Sequence, residues 1–367
     1  MESPVTHDAV VIGAGPAGAV AARELARRGC SVLLVDKAQF PRPKVCGCCL
    51  NGSAVGTLRR LGLGHVLDRG VPLRNVRIGA GRRAAVVKLP GGAALSRESF
   101  DVALIREAEK AGARLREGVT AKPGPLGEVY LGAESVGTKV TIVASGLTGS
   151  DAHPEPGARI GAGVVVPANA APSFFAPGTI FMATGSGGYV GLVRVEDGRL
   201  DVAAAFDVSF VKSQGGLGPA AEAVLGAVGW PVPPGLAELP WKGTPALTRH
   251  PERLAGERWF AIGDAAGYVE PFTGEGMAWA VASAAAVAPI AARGVLHWSP
   301  SLVREWEATH RRAVGRRQHV CRIVSRVLRS PALTATAVRA LCAFPFLSRP
   351  VVRGLNRPAP CPHGTPA

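Results

Sequence analysis

Residues 8–12, Asp-Ala-Val-Val-Ile, form an apolar run that stops at Gly13, which predicts a buried parallel strand. Residues 16–28 then place Ala17, Val20, Ala21 and Leu25 at helical spacing. They end in Arg27, Arg28 and Gly29, the residue types that close a helix. Ser31–Val35 supplies a second strand, closed by Asp36. Together these make a strand–helix–strand unit. Further along, alternation predicts strands at 76–78 and 84–89, strand-like pieces at 113–120 and 128–132, and a helix over 97–111. Thr141–Ala144 reads as another buried strand. From 151 to 240 the character changes, with proline-rich linkers bracketing strands at 161–166, 179–183, 188–195 and 200–207. Trp259–Ile262 is again a short buried strand. A long alanine-rich helix follows from about residue 275, and residues 300–345 read as helical and basic.

The turn between the first strand and helix is Gly13-Ala14-Gly15-Pro16-Ala17-Gly18, a G-x-G-x-x-G loop in its proper context. Glycines there permit a tight turn and close approach of the backbone to a pyrophosphate, and the helix N-terminus adds its positive dipole end. Asp36, with Lys37 beside it, ends the second strand, where a carboxylate accepts hydrogen bonds from an adenosine ribose. A second motif runs Gly263-Asp264-Ala-Ala-Gly-Tyr-Val-Glu-Pro271-Phe272-Thr-Gly274-Glu-Gly276. Asp264 suits the hydroxyls of a ribityl chain. The turn offers backbone N–H groups at a helix start, suited to negative charge on a reduced flavin. The first motif alone admits NAD or FAD; the second selects FAD.

At these residues the sequence resembles the FAD-dependent superfamily that includes geranylgeranyl reductases, aromatic-ring hydroxylases of the p-hydroxybenzoate hydroxylase type, and flavin-dependent halogenases. The resemblance covers residues 5–295. It rests on Val11–Gly18, Phe40-Pro-Arg-Pro-Lys-Val-Cys46-Gly47, Arg97 with Phe100-Asp101, Gly188-Tyr189 and the Gly263-Asp264 segment. It implies an α/β chain in which a Rossmann-like FAD-binding domain (1–72, 96–150 and 251–295) is interleaved with a sheet-rich substrate domain (73–95 and 151–250). A basic helical C-terminal region (296–356) and a disordered tail (357–367) complete the expected organisation. Gly13, Gly15 and Gly18 would meet the pyrophosphate, Asp36 the adenosine ribose, and Arg97 the phosphates or ribityl chain. A competing role for Arg97 is pairing with Asp101, four residues on in its own helix. Asp264 and the turn through Pro271, Gly274 and Gly276 would lie near the flavin. Cys46, Tyr189 and Phe272 are candidates for the substrate side. Cys46 matches a cysteine of the superfamily's reductases, whereas Cys48 and Cys49 read as packing residues. No catalytic residue is assigned.

Two departures from the pattern bear on the reaction. The hydroxylases carry Asp-Gly where this chain has Ser145-Gly146, which weighs against tight use of NAD(P)H, the candidate electron donor. Gly191 stands at a tryptophan position of the reductase and halogenase patterns, which disfavours halogenation and weakens a lipid-wrapping pocket. The expectation that follows is an FAD-dependent monooxygenase acting on a hydrophobic aromatic or polyketide-like molecule. The alternatives are a geranylgeranyl-reductase-like enzyme saturating C=C bonds of an isoprenoid or lipid, and a catalytically inactive flavin-binding scaffold.

Composition changes this picture in one region. The net charge of +15 arises mainly from arginine. Residues 301 onward hold 12 arginines, two acids and no lysine, with apolar residues interleaved. This suits helices capping the substrate domain with a basic solvent face, an amphipathic surface at a membrane, or contact with an acidic carrier protein. No nucleic-acid motif accompanies the charge, so no nucleic-acid partner is expected. Seven cysteines in unpaired spacing and the lack of a leader-like N-terminus suggest a reducing cytoplasm, with membrane association left open, and no metal site.

Overall fold

The computed structural model describes residues 5–148, 152–270, 272 and 274–356. The expected disordered tail and Pro271 lie outside the described residues. The chain opens with β1 (Val5–Ile12), α1 (Pro16–Ala26) and β2 (Val32–Val35). A small sheet follows from β3 (Cys49–Asn51), β4 (Val71–Pro72) and β7 (Gly92–Ala94), with α2 (Gly52–Arg60) inserted. Between β4 and β7 the chain makes the hairpin β5 (Asn75–Ala80) and β6 (Arg83–Lys88). Then come α3 (Arg97–Lys110), β8 (Arg114–Arg116), β9 (Ala121–Pro123), β10 (Glu128–Leu131) and β11 (Glu134–Val143).

The second half adds β12 (His153–Pro154), β13 (Ile160–Val166), β14 (Thr179–Gly185), β15 (Gly188–Arg194) and β16 (Leu200–Phe206). Two helices, α4 (Val208–Gln214) and α5 (Leu217–Ala227), precede β17 (Lys242–Ala246), β18 (Arg249–His250), β19 (Ala255–Gly256) and β20 (Trp259–Ala261). The chain ends in α6 (Glu275–Leu296), α7 (Ser301–His310), a π-helical turn at Arg311–Gly315, α8 (Arg316–Leu328), α9 (Pro331–Ala343) and α10 (Arg349–Asn356).

Two sheets carry the architecture. In the first, β20, β11, β1, β2 and β8 run parallel, and β9 and β10 extend one side as an antiparallel pair. Ala9–Ile12 of β1 and all of β2 are apolar because both faces are covered: Ala9, Val11, Val32 and Leu34 meet helices, and Val10, Ile12, Leu33 and Val35 meet Val129 and Leu131 of β10. Helix α1 is buried over almost its whole length, and its small residues Ala17, Gly18, Ala21 and Ala22 let α3 and α6 pack closely. The second sheet has the order β17-β13-β16-β15-β14-β5-β6. Alternation along each strand splits its faces. Phe181, Val190, Leu192, Val202 and Phe206 point to a core closed by α5, while Ile180, Met182, Tyr189 and Val193 point back toward the first sheet.

Two sequence expectations change. Residues 208–214 and 217–227 are helical, although the proline-rich character of 151–240 reads as strands and linkers. The apolar spacing of Ala220, Ala221, Val224 and Leu225 decides for helix there, because those residues close the core beneath β14 and β15. The C-terminal region caps the second sheet only in part. Leu302, Trp306, Val314 and Cys321 join the core of the first unit, while α9 and the turn Pro345–Ser348 lie on the β5–β6 edge and Leu328 of α8 packs on the sheet's inner face. Helix α6 is long and apolar enough to cross a bilayer by composition, yet 16 of its 22 residues are buried against neighbouring elements.

Candidate functional site: a cavity between the two sheets

One cavity of about 650 Å³ runs between the sheets, within the range of ligand sites. At one end it meets the G-x-G-x-x-G loop, where the glycines do different jobs. A Cβ on Gly13 would sit 2.3 Å from the Ala144 carbonyl oxygen, and one on Gly18 would sit 1.7 Å from the Gly13 oxygen. Both glycines exist so that strand and helix can touch. Gly18 therefore packs inside the unit and does not line the cavity, contrary to the pyrophosphate contact implied for it. Ala14 is likewise turned inward, its N–H donating to Asp36 Oδ2 at 2.8 Å. Gly15 faces the cavity, with the nearest atoms to a Cβ there being the guanidinium nitrogens of Arg97 at 3.6 Å and Arg42 at 3.9 Å. Pro16 and Ala17 line the same wall at the start of α1.

The charges at this end fit an anionic group. Arg97 donates twice to Asp101, at 2.8 Å each, so the helix pairing and the cavity position hold together. Asp101 is fully buried and orients the guanidinium. Arg42 stacks on Phe40 and keeps a buried Nε with no partner among the described residues. A buried guanidinium N–H left open beside an unobstructed glycine and a helix N-terminus is what a diphosphate satisfies. Asp36 and Lys37 line the cavity next to Val119–Pro123, a segment with no charge pattern to mark it in sequence.

At the middle of the cavity stand Gly263 and Asp264, opposite Lys44. Burial raises the Asp264 carboxyl, and the nearby Lys44 and Arg97 charges oppose that rise. Burial likewise lowers the Lys44 ammonium, with Arg97 and Arg42 adding to the effect. Gly274, with φ +78°, begins α6, and a Cβ there would meet the Cys49 carbonyl oxygen at 2.5 Å. The start of α6, with Gly274, Gly276 and Met277, thus faces the cavity beside Phe272. These residues fit a flavin: Asp264 for its polyol chain and the α6 N-terminus for its ring.

The far end is apolar. Ile180 and Met182 of β14, Tyr189, Gly191 and Val193 of β15, and Ala203 and Ala205 of β16 line it. Tyr189 meets Phe272 edge to face at 5.3 Å. A Cβ on Gly191 would come within 3.0 Å of the Met182 sulfur, so the glycine holds this lobe open.

The titratable set here is a thiol cluster. Cys46 and Cys49 line the cavity, and Cys48, with φ +46°, lies behind them. Cys48 hydrogen-bonds Cys46 and also Asp201. The Cys48 bond, helped by Arg97, holds the Cys46 thiol down to about 6. The same bond, with burial, pushes Cys48 well up. Asp201 is 7% exposed, and burial followed by the Cys46 charge raises its carboxyl far above the usual range. Asp201 shares the cavity-side face of β16 with Ala203 and Ala205 by the two-residue period. A cysteine with a lowered thiol at the cavity wall thus lies next to Cys48 and, beyond it, a buried acid whose carboxyl is raised. Sequence alone did not mark Asp201 or give Cys48 more than a packing role, because residues 48 and 201 meet only through the sheet. A second buried group also escaped sequence reading: Arg159 lies 3.4 Å from Glu270 and stacks over the Tyr189 ring.

Two sheets flanking a cavity, with a dinucleotide loop at one end and a flavin-sized middle, define an FAD-binding protein with the fold of the flavin-dependent oxidoreductases. Residues 6–122 match the FAD binding domain family, and FAD is the cofactor. The menaquinone reductase of Mycobacterium tuberculosis (strain ATCC 25618 / H37Rv) is 41% identical over 120 residues, which are 31% of this chain and 29% of that protein. The matched stretch therefore spans under a third of that reductase. In fold, the chain is similar to a flavin-dependent brominase, with TM-score 0.76, 18% identity, and coverage of 95% of this chain and 93% of that one. It is also similar to a geranylgeranyl bacteriochlorophyll reductase-like protein from Thermoplasma acidophilum, with TM-score 0.75, 19% identity, and coverage of 95% and 99%.

Proposed function

We propose that this protein is an FAD-dependent reductase that adds two hydrogens across a double bond of a long apolar molecule of isoprenoid or quinone type. The observation that carries the reading is the thiol–acid set, Cys46, Cys48 and Asp201, at the wall of an otherwise apolar lobe. Bound FAD supplies the hydride. Reduction of an alkene also needs a proton, and an apolar lobe has few groups to give one. Cys46 rests as a thiolate beside Arg97. When substrate enters, Cys48 passes its proton to the Cys46 sulfur and regains one from the buried Asp201 carboxylic acid, and Cys46 delivers the proton to the substrate. Tyr189, Phe272, Met182 and Ile180 exclude water and pack on the substrate, and Gly191 leaves room for its width. The similarity to a menaquinone reductase supports the same class of substrate. The monooxygenase expectation stands as the competing reading, on the strength of the hydroxylases in the superfamily that the sequence resembles.

The test is turnover of a polyprenyl quinone by FAD-loaded, dithionite-reduced protein without oxygen, followed by mass spectrometry. A product heavier by two hydrogens, formed anaerobically and lost in Cys46→Ala, is expected. A strict need for oxygen, with a product heavier by one oxygen atom, overturns the reading in favour of hydroxylation.

A further inference from the structure

The C-terminal helices place apolar side chains where water, not protein, meets them. Of the 11 large apolar residues exposed among the described residues, six fall between 323 and 351: Ile323, Leu333, Phe344, Phe346, Leu347 and Val351. Cys342 through Leu347 is exposed without a break. Phe344 and Phe346 are 54% and 55% exposed, and their rings pack on each other at 6.0 Å. This run forms a corner: α9 and the segment Pro345–Asn356 meet at 120°. Contiguous exposed apolar surface of this kind marks a contact site.

Charge decides what it contacts. Between Glu307 and Asn356 the chain has 10 arginines and no Asp or Glu. Arg339, Arg349 and Arg353 are exposed around the corner and make no ion pair among the described residues. A second copy meeting this face would set arginines against arginines. An anionic bilayer satisfies both halves of the pattern, with phosphates for the guanidinium groups and an acyl boundary for Phe and Leu.

We infer that the corner between α9 and α10 is a membrane-docking element, which seats Phe344, Phe346 and Leu347 at the headgroup–acyl boundary of an anionic bilayer. Arg339, Arg349 and Arg353 lie at the lipid phosphates around them. The element is fastened to the body beside the cavity. The Gly52 N–H donates to Asn356 Oδ1 at 2.8 Å. Asn356 closes a narrow cleft formed with Leu73 and Leu89, and the cleft shares Cys49 and Ile180 with the wall of the main cavity. Docking therefore brings the apolar lobe close to the lipid, whichever reaction the lobe performs.

The experiment is sedimentation of the full chain with phosphatidylcholine vesicles, with and without phosphatidylglycerol. Binding to the phosphatidylglycerol vesicles is expected, falling about tenfold or more as salt rises from about 0.05 to 0.5 M. The double variant F344S/F346S keeps all charges and is expected to lose about tenfold or more in binding. Both side chains are exposed, so its melting temperature and FAD content stay those of the parent. In a Phe344→Trp variant, adding anionic vesicles shifts the fluorescence to the blue. Three results overturn the proposal: no sedimentation of the parent with anionic vesicles, undiminished binding by F344S/F346S, or binding to an acidic carrier protein in place of vesicles.

Discussion

The two ends of the cavity are built by opposite means. At the phosphate end, close backbone contacts and fixed charges leave little freedom: Gly13 and Gly18 admit no side chain, and Arg97 is clamped by a buried carboxylate. At the far end, a sheet face of alanine, glycine and aliphatic residues leaves space, and Cys46 and Cys49 stand at its wall. The first end is specified by sterics and charge, which tolerate almost no change. The second is specified by volume, which can be altered without unfolding the chain. That contrast predicts that cofactor binding and the choice of molecule held in the far lobe can be changed separately.

The most severe test of that separation is Gly18→Val. A Cβ there meets the Gly13 oxygen at 1.7 Å, so the variant is expected to purify without FAD and to lose more than about 3 kcal/mol in urea unfolding. Stoichiometric flavin absorbance in the variant would sink the steric account. Arg97→Leu comes next. It leaves the fully buried Asp101 without its two hydrogen bonds and with only Arg42, at 4.0 Å, as a charge partner, and is expected to cost about 3–5 kcal/mol, with much of the loss recovered in R97L/D101L. Equal losses in the single and double variants would mean that the pair does not act as a pair.

At the open end, Gly191→Trp fills the lobe. It is expected to retain FAD while turnover of an apolar substrate drops by about 100-fold, that is, roughly 3 kcal/mol in kcat/KM. Loss of FAD in step with turnover would show the two ends to be coupled. A smaller effect concerns the thiols. The rate at which iodoacetamide alkylates Cys46 should rise with pH through about 6, because the thiolate is the nucleophile. In Cys48→Ala the midpoint should move upward, since the hydrogen bond that favours the Cys46 thiolate is gone. An unchanged midpoint would remove Cys48 from the relay.

The smallest effect lies outside the cavity. His310, packed on Trp306, is 5% exposed, and burial lowers its pKa from 6.5 to about 4. The folded state thus binds its proton less readily than the unfolded chain does. The stability linked to His310 is complete above pH 6.5 and declines as pH falls toward about 4. His310→Phe should reduce acid sensitivity by about 1–3 kcal/mol over that window, read from urea midpoints at each pH.

Much of the first end is legible in sequence because its signals are local. The loop Gly13–Gly18 and Asp36 fall within one strand–helix–strand unit, and the Gly263–Gly276 motif within one strand-to-helix turn. Helical and strand periods placed most elements for the same reason. Residues 208–227 misled because prolines and glycines around them mask a helical spacing whose meaning is tertiary. Arg97 shows the limit from the other side. Sequence offers it either a partner four residues on or a place at the cofactor, and only the packing of α3 against α1 shows that the pairing and a place on the cavity wall hold together.

The sequence by itself determined the cofactor class, the basic C-terminal stretch and the presence of Gly191 at a position others fill. Those are properties of short segments, where geometry follows from neighbouring residues. Tertiary structure alone decided that Asp201 stands behind Cys48, that Gly18 packs inward while Gly15 opens, and that α7 completes the first core while the corner after α9 stays bare. Each of these depends on contacts between residues far apart in the chain. Such contacts are set by how sheets and helices stack to bury apolar surface, and no local pattern carries that information.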